Sequence, residues 1–402
     1  MKQTITIWKT AFLFLIISAV IGALMRLQVY DPLIKVNYQY LLHTHSHVVL
    51  LGWIFNALIA AVHYMMFREE KGKKYFRLFI LFQVSVTGML LSFPFQGYAA
   101  VSITFSTLHI LLSYIWAVWT WKKSKALSKT AGAFVRWGLF YLCLSTLGPF
   151  SLGPIIATGG TGSDWYYMAI YFYLHFFYNG AVIFILLAML FWFLDDLKIK
   201  YDEALSLASL KLMNISCILG LLLSALWMKP HWVVYVIAGI GGLVQVLAII
   251  PLARLIKPIF QQQLIPVSGP ARTLLKVVIL AFMLKVVLQA ISAVPAIAEL
   301  ASQVRYYTIG YLHLVFIGLV SPFLLAWFNL TGLYPLDSKP KRIGLAVFLI
   351  GFIITELIII SQVQLGGSFS YFRALFVASL VLWAGMLLLF PFGKPGSRMA
   401  HR

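Results

Sequence analysis

Apolar stretches about twenty residues long recur along this chain from end to end, and they limit its fold class before any motif is read. A helix rises about 1.5 Å per residue and a bilayer's hydrocarbon core is about 30 Å thick, so each stretch is long enough to cross a membrane. In the hydrocarbon core only a helix or a closed barrel satisfies its own backbone. Continuous apolar runs lack the in–out alternation of barrel strands, which leaves helices. The chain has 402 residues, 62% hydrophobic and 10% charged. Soluble domains carry about 25% charged residues, so a water-facing surface is excluded. The expectation is an all-α polytopic membrane protein, a twelve-transmembrane-helix bundle forming a single integral membrane domain over residues 1–402. The predicted spans are 7–27, 42–66, 75–95, 98–121, 133–157, 165–193, 208–228, 231–255, 273–293, 306–332, 342–362 and 371–393.

Charge orients these spans. The net charge is +20, but the basic residues cluster in short connections, so the partner they imply is the lipid bilayer and not nucleic acid. Lys71, Lys73 and Lys74 follow span 2, and Lys122, Lys123, Lys125 and Lys129 follow span 4. Lys198 and Lys200 follow span 6, Arg254, Lys257 and Arg272 flank the loop after span 8, and Lys339, Lys341 and Arg342 follow span 10. The alternate connections are poor in Lys and Arg, as at Phe95-Gln96-Gly97, Ala157–Ser163 and Gly366-Gly367-Ser368. The positive-inside rule therefore predicts both termini in the cytoplasm. Lys2 precedes and Lys9 lies at the start of a first span too long for a signal-peptide core, with no small-residue cleavage site, so it is expected to be retained. Cys143 and Cys217 lie inside predicted spans and form no Cys-x-x-Cys.

Six histidines fall in the outer half of even-numbered spans: His43, His45 and His47 in span 2, His109 in span 4, His175 in span 6 and His313 in span 10. Histidine in a bilayer is costly and faces a bundle interior, a cavity or a cofactor. His43 and His47 are four apart and share one helix face, while His45 points elsewhere. Taken singly, each is explained as a buried imidazole hydrogen-bonded to a carbonyl or hydroxyl. Taken together at one depth, they are candidate ligands. Paired neutral imidazoles on facing helices suit bis-His heme ligation. Copper or zinc requires three or four ligands converging at about 2 Å, which spacing alone does not reveal. His63, beside Tyr64 and ahead of Arg68, reads as interfacial, and His231 and His401 as solvated. Lys285 in span 9 and Glu356 in span 11 are the ionisable residues deepest in spans; they read as a neutralising pair, structural or one step of a proton path, or Lys285 as a snorkelled lysine. Arg305 and Arg373, on the outer side, are candidates to pair with heme propionates and equally read as ordinary interfacial anchors.

Three segments carry a resemblance to a family. Span 2 reads Leu41-Leu42-His43-Thr44-His45-Ser46-His47-Val48-Val49-Leu50-Leu51-Gly52-Trp53 and continues to Ala60-Ala61-Val62-His63-Tyr64. Span 10 reads Gly310-Tyr311-Leu312-His313-Leu314-Val315, and span 6 reads Tyr173-Leu174-His175-Phe176-Phe177-Tyr178-Asn179-Gly180. These resemble subunit I of heme-copper oxidases, nearest the C-type cytochrome oxidase and nitric oxide reductase branches. The resemblance implies a low-spin heme b held by His47, with His43 as competitor, and by His313. It implies a copper or non-heme iron near His175. The chain departs from the pattern in two places. Span 7 holds no histidine, and Tyr311 stands where the family's high-spin heme ligand is found. The dinuclear centre is therefore expected to be incomplete, with His109 as an extra candidate and His45, His47, His109, His175 and His313 as the full set of potential metal ligands.

The resemblance thus implies a heme-binding membrane redox protein in a bacterial plasma membrane. If it is an enzyme, it is an oxidoreductase of the cytochrome oxidase or nitric oxide reductase type. No Cys-x-x-Cys-His is present, so the expected electron donor is quinol or a separate cytochrome c, with partner subunits in attendance. Two other classes stay open: a non-catalytic heme- or metal-binding sensor or carrier, and a transporter using its membrane histidines. Against the transporter stand the lack of an obvious internal repeat and the scarcity of broken helices.

Overall fold

The computed structural model describes residues 1–31, 35–68, 72–265, 267–365 and 369–391. Lys71, His401 and the Gly366–Ser368 connection lie outside the described residues. Among the described residues there is no strand, and twelve helices are long and apolar enough to cross a membrane. They are α1 (Lys2–Val29), α2 (Tyr38–Phe67), α3 (Lys73–Gln96), α4 (Ala100–Ala126), α5 (Lys129–Ala157), α6 (Asp164–Asp196), α7 (Glu203–Met228), α8 (Trp232–Gln261), α9 (Gly269–Ile291), α10 (Arg305–Leu330), α11 (Lys339–Gln362) and α12 (Tyr371–Leu389). The chain is an integral membrane protein, and the twelve expected spans appear in number and order. Several helices outrun their apolar stretch at the basic end. α4, for example, winds past Lys122 and Lys123, whose long stems can lie along apolar surface while the ammonium stays wet.

The spans group into two compact units. The first comprises Met1–Trp116, Val267–Val278 and Ile309–Arg402. Its central helix is α2, with 94% of its most apolar window buried. Gly52 lets α1 press onto α2, since a Cβ there would meet Phe14 at 2.8 Å. Trp8 of α1 stacks on Phe328 of α10 with ring centroids 4.0 Å apart, and lies 5.4 Å from Trp53 of α2. Trp53 Nε1 donates to Ser321 Oγ at 2.9 Å, which ties α2 to α10. α11 and α12 meet backbone to backbone. A Cβ on Gly351 would fall 2.7 Å from Leu382 N, and one on Gly385 would fall 2.4 Å from Phe348 N. Lipid tails are as apolar as leucine, so helices in a membrane gain from close van der Waals contact at small residues, not from hydrophobic exclusion.

The second unit comprises Ala117–Pro266 and Ile279–Thr308. Here α6 is central, again with 94% of its apolar window buried. Gly180 admits the Tyr141 ring of α5, and Gly138 admits Ile185 of α6. Polar rungs cross the unit. Thr130 and Ser206 share a hydrogen bond of 2.8 Å, and Tyr141 Oη donates to Asn214 Oδ1 at 2.9 Å.

Four spans depart from regular α geometry. α2, α6 and α10 each contain a π-helical segment: Val48–Phe55, His175–Val182 and Leu314–Val320. α7 ends in a 3-10 segment, Gly220–Met228. The helices continue through these segments but are locally rewound. The three π segments begin at or directly after the histidines of α2, α6 and α10. π turns inside α-helices are frequently found at functional sites.

Candidate functional site

The three histidines of α2 divide between two faces, as their spacing requires. His43 and His47 face an aromatic group, with the His43 ring 4.6 Å from Tyr98 and the His47 ring 4.5 Å from Phe93. His47 Nδ1–H donates to the His43 carbonyl at 2.8 Å, so Nε2 is the basic nitrogen and accepts from Tyr98 Oη at 3.3 Å. His109 lies within electrostatic reach of His47, between Phe55 and Phe82 with centroids about 5 Å away. Its Nε2 is buried without a hydrogen-bond partner among the described residues.

His45 occupies the other face. Its Nδ1–H donates to the Ser18 carbonyl of α1 at 2.9 Å. Gly22, one turn along α1, leaves room for the ring, for a Cβ there would fall 3.0 Å from His45 Cε1. His45 lies within electrostatic reach of His313 and Arg26. The Trp53–Ser321 bond explains why His45 is the partner. His45 precedes Trp53 by eight residues and His313 precedes Ser321 by eight. α2 and α10 are an even number of crossings apart and run in the same direction. With a π segment intervening on both helices, the two imidazoles reach one depth. His47, which the family resemblance favours, is turned toward Phe93, Tyr98 and His109.

His313 is held by a carboxylate. Its Nδ1–H donates to Glu356 Oε1 of α11 at 2.9 Å, and Gly310 makes space beside the other carboxylate oxygen, where a Cβ would stand 3.3 Å away. Among the described residues nothing hydrogen-bonds to Nε2 of His45 or of His313. A histidine whose Nδ1–H is fixed by a carbonyl or carboxylate presents Nε2 as a basic, oriented ligand. Arg26, near the C-terminal end of α1, donates to Ser379 Oγ of α12 and lies within electrostatic reach of Glu356 and Tyr38. One guanidinium and one glutamate side chain thus lie beside the two imidazoles.

Several sequence expectations are corrected here. Glu356 does not pair with Lys285. It takes His313, and Lys285, fully buried, donates to Gln289 Oε1 at 2.9 Å within its own helix. His63 is not interfacial. It is 2% exposed and shares a hydrogen bond of 3.0 Å with Thr4 Oγ1, so α1 covers it. Arg305 and Arg373 are exposed at their helix starts, which leaves their expected role open, and the guanidinium beside Glu356 is Arg26. Arg26 sits at the end of an apolar run, where an arginine reads as an ordinary boundary residue, so nothing in its sequence context singled it out. His175 uses both ring nitrogens internally. Nε2–H donates to the Cys217 carbonyl at 2.7 Å, and Nδ1 accepts from Asn179 Nδ2 at 3.3 Å. The Gly220 amide, where the 3-10 winding starts, bonds the Ser216 and Ile218 carbonyls and passes over that of Cys217, which receives His175. His231 is exposed and caps the start of α8, accepting from Val233 N.

Among the described residues no three His, Cys, Asp or Glu side chains converge in a geometry that could hold a metal ion. Comparison with protein-family models and with curated proteins finds no match to this chain.

Proposed function

We propose that the chain is a b-type heme-binding membrane redox protein whose heme is held between α2 and α10 by His45 and His313. The reading rests on one observation: two imidazoles at one depth on bonded, parallel helices, each fixed through Nδ1 and each keeping Nε2 basic. That donor set fits a low-spin heme, which takes two neutral nitrogens and needs no third ligand. Bound there, heme would supply one-electron transfer.

The chain's own groups do the rest. The Ser18 carbonyl and the Glu356 carboxylate orient the rings and raise the basicity of Nε2. Arg26 holds positive charge at the outer end of the cluster, where a guanidinium suits a propionate. The Trp8, Trp53 and Phe328 rings close the core beneath and exclude water. His175 is engaged by Cys217 and Asn179, so the reading covers a single electron-transferring heme and no second metal.

The test is the absorption spectrum of the detergent-purified protein from heme-supplemented cells, oxidised and dithionite-reduced, with and without carbon monoxide. The expected result is a sharp reduced low-spin spectrum that carbon monoxide leaves unchanged. It should be abolished in His45→Ala and His313→Ala and kept in His47→Ala and His175→Ala. Loss in His47→Ala with retention in His45→Ala would move the ligand to the other face of α2. A heme-free protein after supplementation would overturn the reading.

A further inference from the structure

The second unit carries an open groove that the histidine cluster does not use. It has a volume of about 420 Å³ and is lined by Val246, Ile250 and Ala253 of α8 and Met283 of α9, with Arg254 and Lys257 at one end. The α8 residues recur every three or four positions and so form one helical face. That face is open to its surroundings: Val246 is 38% exposed, Ile250 44% and Met283 40%. Pro251, buried on the opposite side, lacks the amide proton that would bond the Leu247 carbonyl, a standard cause of helix bending.

Among the described residues the cations at the groove's end have no carboxylate partner. The sequence contains no Asp or Glu between Glu203 and Glu299, a stretch that includes Lys211, Lys229, Arg254, Lys257, Arg272, Lys276 and Lys285. Among the described residues no carboxylate pairs with Arg254 or Lys257. Both lie at the end of α8 that the loop charge bias assigns to the cytoplasm. From Arg254 to Val246 the groove runs eight residues, about 12 Å, within the ~15 Å depth of one leaflet. The pattern is an apolar slot one leaflet deep, capped by a guanidinium and an ammonium at the headgroup level.

We infer that this groove is a binding site for an anionic phospholipid, with one acyl chain along Val246, Ile250 and Met283 and its phosphate between Arg254 and Lys257. An arginine beside a lysine satisfies a phosphate diester through charge-assisted hydrogen bonds. A zwitterionic lipid carries its own ammonium and gains less from the same pair. Basic sites of this kind, between helices on the cytoplasmic side, select anionic headgroups.

The experiment titrates the purified full-length protein with phosphatidylglycerol, with phosphatidylcholine of the same chains, and with inorganic phosphate, reading the thermal unfolding midpoint. Native mass spectrometry counts retained lipid in parallel. Phosphatidylglycerol is expected to bind up to roughly thirtyfold more tightly than phosphatidylcholine, from two cations at the headgroup level. Arg254→Gln/Lys257→Gln should remove the preference, and Ala253→Phe, which fills the groove, should remove retention of the lipid. All three side chains are exposed, so folding is expected to survive. For a variant that loses its thermal transition, lipid retention measured on the double variant or on Ala253→Phe, whichever folds, decides. Equal binding of the two lipids, undiminished preference in the double variant, or the same stabilisation by inorganic phosphate alone would each overturn the assignment.

Discussion

Replacing Glu356 by glutamine tests whether the His45–His313 cluster of the first unit is held by charge. The substitution keeps an oxygen in place to accept from His313 Nδ1, now 2.9 Å from the carboxylate, and removes only the negative charge. A hydrogen bond involving a charged group contributes about 1.5–3 kcal/mol and a neutral one about 0.5–1.5, so the bond itself loses about 1–1.5 kcal/mol. Arg26 then lies in the cluster without its counter-charge. Removing one partner from a fully buried pair costs about 3–5 kcal/mol. Here the His313 and Glu356 side chains are 20% and 16% exposed, so water screens part of that cost. The expected loss for Glu356→Gln is about 1.5–3 kcal/mol in total. Arg26→Met removes the cation instead, and the double variant has neither charge. If the charges compensate, the double variant should be more stable than the sum of the single losses predicts, by about 1 kcal/mol or more. The assay is the unfolding of purified protein by sodium dodecyl sulfate in mixed micelles, run on all four members of the cycle. Single-variant effects that add to within about 0.5 kcal/mol would refute the compensation argument, because uncoupled sites behave in that way.

Three further outcomes are expected. Gly385→Ala should cost about 1–3 kcal/mol by overpacking, as its Cβ would fall 2.4 Å from Phe348 N; Gly153→Ala, with nothing within 4 Å, should change unfolding by less than about 0.5 kcal/mol. His175→Ala should destabilise by about 1–3 kcal/mol, because Asn179 and the Cys217 carbonyl lose their partner in a buried site, while the heme spectrum stays as in the wild type; a changed spectrum would give His175 a ligand role. Burial, with hydrogen bonding to Asp195, pushes the Tyr201 phenol in the α6–α7 connection from 10 up to about 12. A raised phenol stabilises the fold fully below pH 10 and loses that contribution as pH rises toward about 12, so stability of the wild type relative to Tyr201→Phe should fall across that window in an alkaline unfolding titration.

The amino-acid sequence alone determined the twelve spans, because length and apolarity are local properties and the bilayer leaves the backbone one way to satisfy itself. It also determined that His43 and His47 share a face and His45 does not, since a helix places side chains by spacing. It selected the histidine segments, which are the places where α2, α6 and α10 rewind into π turns. Only tertiary structure decided what each histidine meets. Three imidazoles within one helix segment look alike in sequence, yet His45 turns to α1 and α10 while His47 turns to Phe93 and Tyr98, because the Trp53–Ser321 bond and Gly22 fix how α2 sits among its neighbours. The partner of Glu356 was likewise hidden. Two ionisable residues deep in spans invite pairing on electrostatic grounds, but which groups meet depends on the packing of helices distant in sequence, and that packing gave Glu356 to His313 and left Lys285 to Gln289.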